Sequence, residues 1–194
     1  MKIIFLRHGL TKSNTEKRFS KKETRLSDMA YKDLDKSFEN LKDYKIDKVY
    51  TSALIRSQET AKYLKFNNFT IDERLNEMDF GDFKGMKVKD CYEKYADFYK
   101  KKSENPYTTR YPDGECIKDL IKRLDSFIKE KYQENKDKTI LCVSHGIAIR
   151  AALFTILKDL DNFENFWLDN GSLSILNIKK DKQIIECVNK IWNL

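Results

Sequence analysis

Ile3-Ile4-Phe5-Leu6-Arg7-His8-Gly9 is an apolar run that stops at a histidine and turns at a glycine. Thr139-Ile140-Leu141-Cys142-Val143-Ser144-His145-Gly146 repeats the pattern far along the chain. The 194 residues contain 2 histidines and 6 glycines, so finding His-Gly at both histidines is not explained by composition. Each run reads as a buried strand whose end meets solvent. Ligand sites in open α/β sheets lie outside strand ends, so the two histidines point to one site built from both strands.

Outward from these strands, residues 29–42 carry a helical stripe of Ala30, Leu34, Phe38 and Leu41. A short strand is predicted over 48–51, and Ser52 is placed to cap a helix running to Leu64. Residues 69–71 read as a strand, 73–86 as a loop with Gly81 and Gly85, and 87–101 as a helix. Asn105-Pro106 and Pro112-Asp113-Gly114 mark turns. The clearest helix follows, with Ile117, Leu120, Ile121, Leu124, Phe127 and Ile128 on one face. The strand at 138–143 leads past His145 to a helix over 148–157, and strands are expected at 172–178 and 183–188. Alternation of strand and helix predicts an α/β fold, a three-layer sandwich with a mostly parallel central sheet and helices on both faces. No repeat, low-complexity tract or linker divides the chain, so a single domain over 1–194 is expected.

Composition narrows the function. No apolar stretch approaches a membrane span, and Met1-Lys2 leads directly into the first strand without a signal-peptide pattern, so a cytoplasmic protein is expected. Cys91, Cys116, Cys142 and Cys187 are scattered and read as free thiols. The net charge of +7 fits either a lysine-rich solvated surface or attraction of an anionic substrate. The basic residues are dispersed and no nucleic-acid motif is present, so nucleic acid is not an expected partner. Neither His-Glu-x-x-His nor a paired-ligand spacing occurs, so no metal and no cofactor is expected.

The chemistry concentrates in Arg7-His8-Gly9-Leu10-Thr11-Lys12-Ser13-Asn14. Arginine beside histidine supplies a permanent cation that matches phosphate oxygens, together with a basic or nucleophilic nitrogen. Gly9 is expected to let the backbone approach an anion, with Thr11 and Asn14 adding short polar side chains.

This segment resembles the opening motif of the histidine phosphatase superfamily, the phosphoglycerate mutase-like family, and the resemblance continues in order along the chain. Thr51-Ser52-Ala53-Leu54-Ile55-Arg56-Ser57-Gln58-Glu59-Thr60-Ala61 is similar to its Ser-x-Leu-x-Arg-x-x-x-Thr-Ala element. Leu75-Asn76-Glu77-Met78-Asp79-Phe80-Gly81-Asp82-Phe83-Lys84-Gly85 resembles the loop that carries its acid. Tyr111-Pro112-Asp113-Gly114-Glu115-Cys116 matches its Pro-x-Gly-Glu-Ser element, with cysteine in place of serine. Val143-Ser144-His145-Gly146 and Asn170-Gly171-Ser172 complete the series.

The resemblance implies a phosphomonoesterase that acts without metal on a small phosphorylated metabolite through a phosphohistidine. In it His8 takes the phosphoryl group, two neighbouring arginines lower its pKa, and Arg7 and Arg56 grip the phosphoryl oxygens. His145, Asn14 and Gly146 add phosphate or substrate contacts. Glu77 protonates the leaving oxygen and then activates water, which needs a carboxyl that titrates near the working pH. Plainer readings stand beside these: Arg56 paired with Glu59 or Glu73 on a helix surface, Asp79 as the rival acid, and Glu115 as a helix cap or a support to the site. Residues 78–115 correspond to a cap over the site in relatives. Tyr92, Tyr95, Phe98, Tyr99, Tyr107 and Tyr111 within them would either shape a pocket or form core. The segment from Glu77 to Pro112 and the part beyond Ser172 are short compared with family mutases, which favours hydrolysis over mutase chemistry; a phosphoglycerate mutase and a non-catalytic phosphate binder are the alternatives. Lys21, Lys22 and Arg25 depart from the family's Arg-x-Gln-Gly pattern, which suits either a substrate with a second acidic group or mere lysine drift.

Overall fold

The computed structural model describes residues 1–191; the last three residues of the expected 1–194 domain lie outside this range. In chain order the elements are β1 (Lys2–Arg7), α1 (Lys12–Thr15), α2 (Ala30–Leu41), β2 (Lys48–Thr51), α3 (Ile55–Tyr63), β3 (Thr70–Ile71), α4 (Val88–Lys94), α5 (Ala96–Glu104), α6 (Ile117–Glu134), β4 (Thr139–Ser144), α7 (Gly146–Leu157), β5 (Leu173–Ile178) and β6 (Gln183–Lys190). Six strands form one sheet in the order β3-β2-β4-β1-β5-β6. The first four of these run parallel, and β5 is antiparallel to both of its neighbours. The predicted mostly parallel α/β sheet is therefore present.

The central strands are apolar throughout their interiors, Ile3–Leu6 in β1 and Ile140–Val143 in β4, because both faces of the sheet are covered. Ile3 and Phe5 of β1, with Ile140 and Cys142 of β4, join one core with α6 and α7. Ile4, Leu6, Leu141 and Val143 join a second core with α2 and α3 on the opposite face. Helix α6 is amphipathic, whereas Ala148, Ile149 and Ala151–Phe154 of α7 are all buried.

Several boundaries differ from the sequence-based expectation. The helix predicted over 87–101 breaks at Tyr95, whose backbone (φ −122°, ψ 43°) leaves the helical region. The break lets Tyr95, Phe98 and Tyr99 all pack their rings against Phe83. The loop over 73–86 contains two short 3₁₀ turns, Glu73–Leu75 and Gly81–Phe83. Helix α7 starts at Gly146, two residues before the predicted start, and α1 is too short to leave a periodic signal. Ser52 does not cap α3; the capping position is Leu54, without a side-chain bond.

Candidate active site

Register brings the two His-Gly sequences together. Strands β1 and β4 are adjacent, with Arg7 opposite Ser144, so His8 and His145 are the next residues past the same sheet edge. The His8 N–H donates to the Ser144 carbonyl at 2.9 Å, and the two imidazole centroids lie 5.0 Å apart. Strand β2 ends beside β4, with Thr51 opposite Val143, which delivers Ser52 and the start of α3 to the same edge.

His8 is 3% exposed, and its Nδ1 lies 2.7 Å from the Gly9 carbonyl. A carbonyl only accepts, so Nδ1 carries the proton and Nε2 keeps a lone pair. Arg56 Nε donates to that Nε2 at 3.2 Å. Burial pushes the His8 pKa well below the ordinary histidine range, and the nearby Arg56 and Arg7 cations add to the effect. The arginines were expected to be the cause; desolvation is the larger one.

Arg56 is 2% exposed and pairs with neither Glu59 nor Glu73. Its Nη1 donates to the Lys21 carbonyl at 3.1 Å, and burial lowers its pKa to about 10. Glu59 instead bonds Arg25 and the Leu26 N–H. Arg7 donates through Nη1 to the Leu168 carbonyl. Neither guanidinium uses Nη2 on a protein partner among the described residues.

Asn14 Oδ1 accepts from the Thr11 N–H, the Thr11 hydroxyl and Asn170 Nδ2, at 3.1, 2.8 and 3.4 Å. Those three donors fix the amide orientation and leave its NH₂ for another acceptor. Two expectations are corrected here. Thr11 is the N-cap of α1 and bonds within that turn. The Gly9 N–H is already given to Thr60 Oγ1 at 3.1 Å, and a Cβ on Gly9 would lie 2.9 Å from Leu34 Cδ1. Gly9 therefore allows α2 to pack against the strand end and offers no amide to an anion.

His145 is fully buried, with Nε2 2.8 Å from Ser52 Oγ and 3.2 Å from Ser57 Oγ. Its Nδ1 is buried without a partner among the described residues. Burial, then Arg56 and His8, push its pKa well below the usual value. Gly146 opens α7, where a Cβ would lie 3.4 Å from the Arg7 guanidinium carbon.

Glu77 lies at the N-terminus of α7. Its Oε1 accepts from the Met78 and Ala148 N–H groups, each at 3.0 Å, and Oε2 accepts from Ile147 at 3.3 Å. Asp79, the rival acid, is turned towards Lys84 at 2.5 Å and the Gly81 N–H at 2.7 Å, and both hold its carboxyl below its usual pKa against a desolvation that acts the other way. Glu115 does not cap α6; Cys116 does, in a reciprocal arrangement with Asp119. Glu115 instead accepts from the Asp79 N–H at 2.9 Å and from Arg123 through two bonds at 2.8 and 3.0 Å. Arg123 in turn donates to the Arg74 and Glu77 carbonyls at 2.6 and 3.0 Å. Glu115 and Arg123 thus tie the loop carrying Glu77 to α6.

Arg7, His8, Asn14, Arg56, Glu77 and Gly146 line one cavity of about 280 Å³. A second cavity of about 460 Å³ adjoins it and shares Arg56, Glu77, Ser20 and Phe80. Lys21 and Lys22 line the second cavity, while Arg25 lies outside both, bound to Glu59. Tyr95, Phe98, Tyr99, Tyr107 and Tyr111 pack in the core, and Tyr92 stacks on Tyr99. None of the six lines either cavity. Ser52, Ser57, Thr60, Arg123 and Asn170 all hold site residues in place. Ser52, Ser57 and Thr60 belong to the second motif, where their roles could have been inferred; nothing local in the sequence distinguishes Arg123 from other surface arginines of an amphipathic helix.

A family model for the histidine phosphatase superfamily (branch 1) matches residues 3–191. The chain is 27% identical to phosphoserine phosphatase 1 of Hydrogenobacter thermophilus, over 97% of this chain and 92% of that protein. It is 28% identical to the 2,3-bisphosphoglycerate-dependent phosphoglycerate mutase of Bartonella bacilliformis, over 84% of each. The alpha-ribazole phosphatase of Shigella flexneri shares the fold, with a TM-score of 0.88 at 23% identity over 99% of this chain and 98% of that one.

Proposed function

The chain belongs to the histidine phosphatase superfamily, and from that premise we propose that it hydrolyses small phosphomonoesters through a phosphohistidine formed on His8. The observation that carries this reading is the state of His8. A neutral imidazole with its proton pinned on Nδ1 keeps the Nε2 lone pair, which accepts from Arg56 Nε until an incoming phosphate oxygen draws that N–H away.

In the first step His8 Nε2 attacks phosphorus and the ester P–O bond breaks. Arg7, Arg56 and the Asn14 amide stabilise charge on the non-bridging oxygens. His145 is fully buried and does not itself line the cavity; it packs beside the His8 ring, held by Ser52 and Ser57, and its unpartnered Nδ1 is the atom assigned to support the same oxygens. Glu77, which lines the same cavity as His8, gives a proton to the departing alcohol oxygen. In the second step it takes a proton from water as the water oxygen attacks phosphorus and the P–N bond breaks, which returns His8 neutral and releases phosphate. Residues 78–115 act as a cap, contributing Phe80 and Val88 to the cavity wall.

A chromogenic aryl phosphate assayed in EDTA tests the reading. Wild type hydrolyses it and His8→Ala does not. Equal activity in the two proteins removes His8 from the reaction, and loss of wild-type activity in EDTA reinstates a metal. Phosphoglycerate interconversion that requires a bisphosphorylated primer, without net hydrolysis, identifies a mutase.

A further inference from the structure

The lining of the His8 cavity is of two kinds. Four arginines, Arg7, Arg18, Arg56 and Arg150, share it with the apolar side chains Phe19, Phe80, Val88, Ile147, Trp167 and Leu168. Phe19 and Phe80 are in ring contact at 4.6 Å, and Tyr111 backs both at 6.1 and 5.2 Å, so that wall is part of a packed aromatic cluster. Trp167 is the exception to burial: 73% exposed, it is the most exposed large apolar side chain in the described structure.

An exposed tryptophan is costly to leave in water and is informative when it is also held in place. Trp167 Nε1 donates to Asp169 Oδ1 at 2.8 Å. Asp169 is clamped by Asn189, whose Oδ1 accepts the Asp169 N–H at 2.7 Å and whose Nδ2 donates to Asp169 Oδ2 at 2.9 Å. Asn189 adopts a left-handed backbone (φ 58°) within β6. On the other side of Trp167, the Leu168 carbonyl receives Arg7. The indole is therefore an exposed member of the cavity lining, held by its Asp169 hydrogen bond and one residue from the carbonyl that anchors Arg7.

Resting on the phosphomonoesterase reading above, we propose that Trp167 is a specificity-determining residue and that the preferred substrates are phosphomonoesters whose organic group carries a flat, aromatic ring. That ring lies on the Trp167 face, with the apolar wall of Phe19, Phe80 and Val88 enclosing it. The cavity of about 280 Å³ lies just below the range of small-molecule sites, which starts at about 300 Å³, and with the adjoining cavity of about 460 Å³ it has room for one ring system with its phosphate. A small hydroxy-acid phosphate would leave Trp167 and the apolar wall uncovered.

Binding and turnover separate this proposal from the reading it rests on. Benzylphosphonate, which has no ester bond to cleave, is titrated against wild type while tryptophan fluorescence is followed. The expected result is a saturable change that is absent in Trp167→Phe, and binding about tenfold tighter than that of 2-aminoethylphosphonate. In turnover, wild type prefers benzyl phosphate to O-phosphoserine, two substrates with alkyl leaving oxygens. Trp167→Ala lowers that preference about tenfold, and Trp167→Phe retains most of it. Equal losses on both substrates with Trp167→Ala, or equal binding of the two phosphonates, overturn the proposal. Ring-selective phosphonate binding without hydrolysis of any monoester upholds the Trp167 platform and overturns the phosphatase reading alone.

Discussion

Replacing Arg123 with alanine tests how the acid loop is held. The guanidinium makes two bonds to Glu115 and one each to the Arg74 and Glu77 carbonyls, with only about a fifth of the Arg123 and Glu115 side chains exposed (19% and 22%). Removing one member of a fully buried hydrogen-bonded ion pair costs about 3–5 kcal/mol. Partial exposure here lets water reach the stranded carboxylate, so about 2–3 kcal/mol is expected. At about 2.1 cal/mol/K per residue, 194 residues unfold with an entropy near 0.4 kcal/mol/K, which places the Tm drop at about 5–7 °C. The effect on activity should depend on the leaving group. In the proposed mechanism kcat/KM reports the steps through phosphoryl transfer to His8, in which Glu77 is assigned to protonate the departing oxygen. A displacement of Glu77 by about 1 Å costs about 100-fold when that proton is needed. An alkyl phosphate needs it and a nitrophenyl phosphate hardly does. Arg123→Ala should therefore lose about 100-fold on benzyl phosphate and less than about fivefold on the nitrophenyl ester. Equal losses on the two esters, or an unchanged Tm, would refute the reasoning.

Other perturbations follow from the same contacts. His8 and His145 are held neutral by burial, so the unfolded chain binds more protons than the folded one below the ordinary histidine pKa. Stability should fall as pH drops below about 6.5, by up to about 1.4 kcal/mol per histidine per pH unit, seen as a falling urea midpoint; a midpoint constant from pH 7.5 to 5 contradicts this. For the same reason the acid limb of kcat/KM should not show His8 titrating near pH 6.5. Gly81 has φ +51° and a Cβ there would lie 1.7 Å from the Pro112 carbonyl oxygen, so Gly81→Ala should lower Tm by at least as much as Arg123→Ala. Cys116→Ser, which places the better capping oxygen opposite Asp119, should raise stability by about 0.5–1 kcal/mol in denaturant melts.

The parts of this molecule legible in the sequence are those where chemistry and backbone coincide. Apolar runs ending in His-Gly located both central strands and the site edge, because a strand buried on both faces must be continuously apolar. Arg56 and Glu77 were placed beside His8 through motif order and not through local pattern, since an arginine on a helix reads the same whether it is exposed or buried on a cavity lining. Gly9 and Thr11 misled for a related reason. Their types suit an anion cradle, but Leu34 and the α1 cap, distant or invisible in sequence, claim them first. The break at Tyr95 was hidden because the ring packing it allows is on Phe83, a residue of another segment. Trp167 gave no signal, as nothing in its neighbours marks it as exposed.

His8 as the phosphoryl acceptor is tested most directly by trapping. Glu77→Gln mixed with nitrophenyl phosphate retains the activated leaving group but lacks the base for hydrolysis, so phosphoenzyme should accumulate. Peptide mass spectrometry after alkaline quench should then find one phosphoryl group on His8, and none in the His8→Asn, Glu77→Gln double variant. A phosphoryl group on another residue, or product formation with no phosphoenzyme in either protein, would contradict the mechanism.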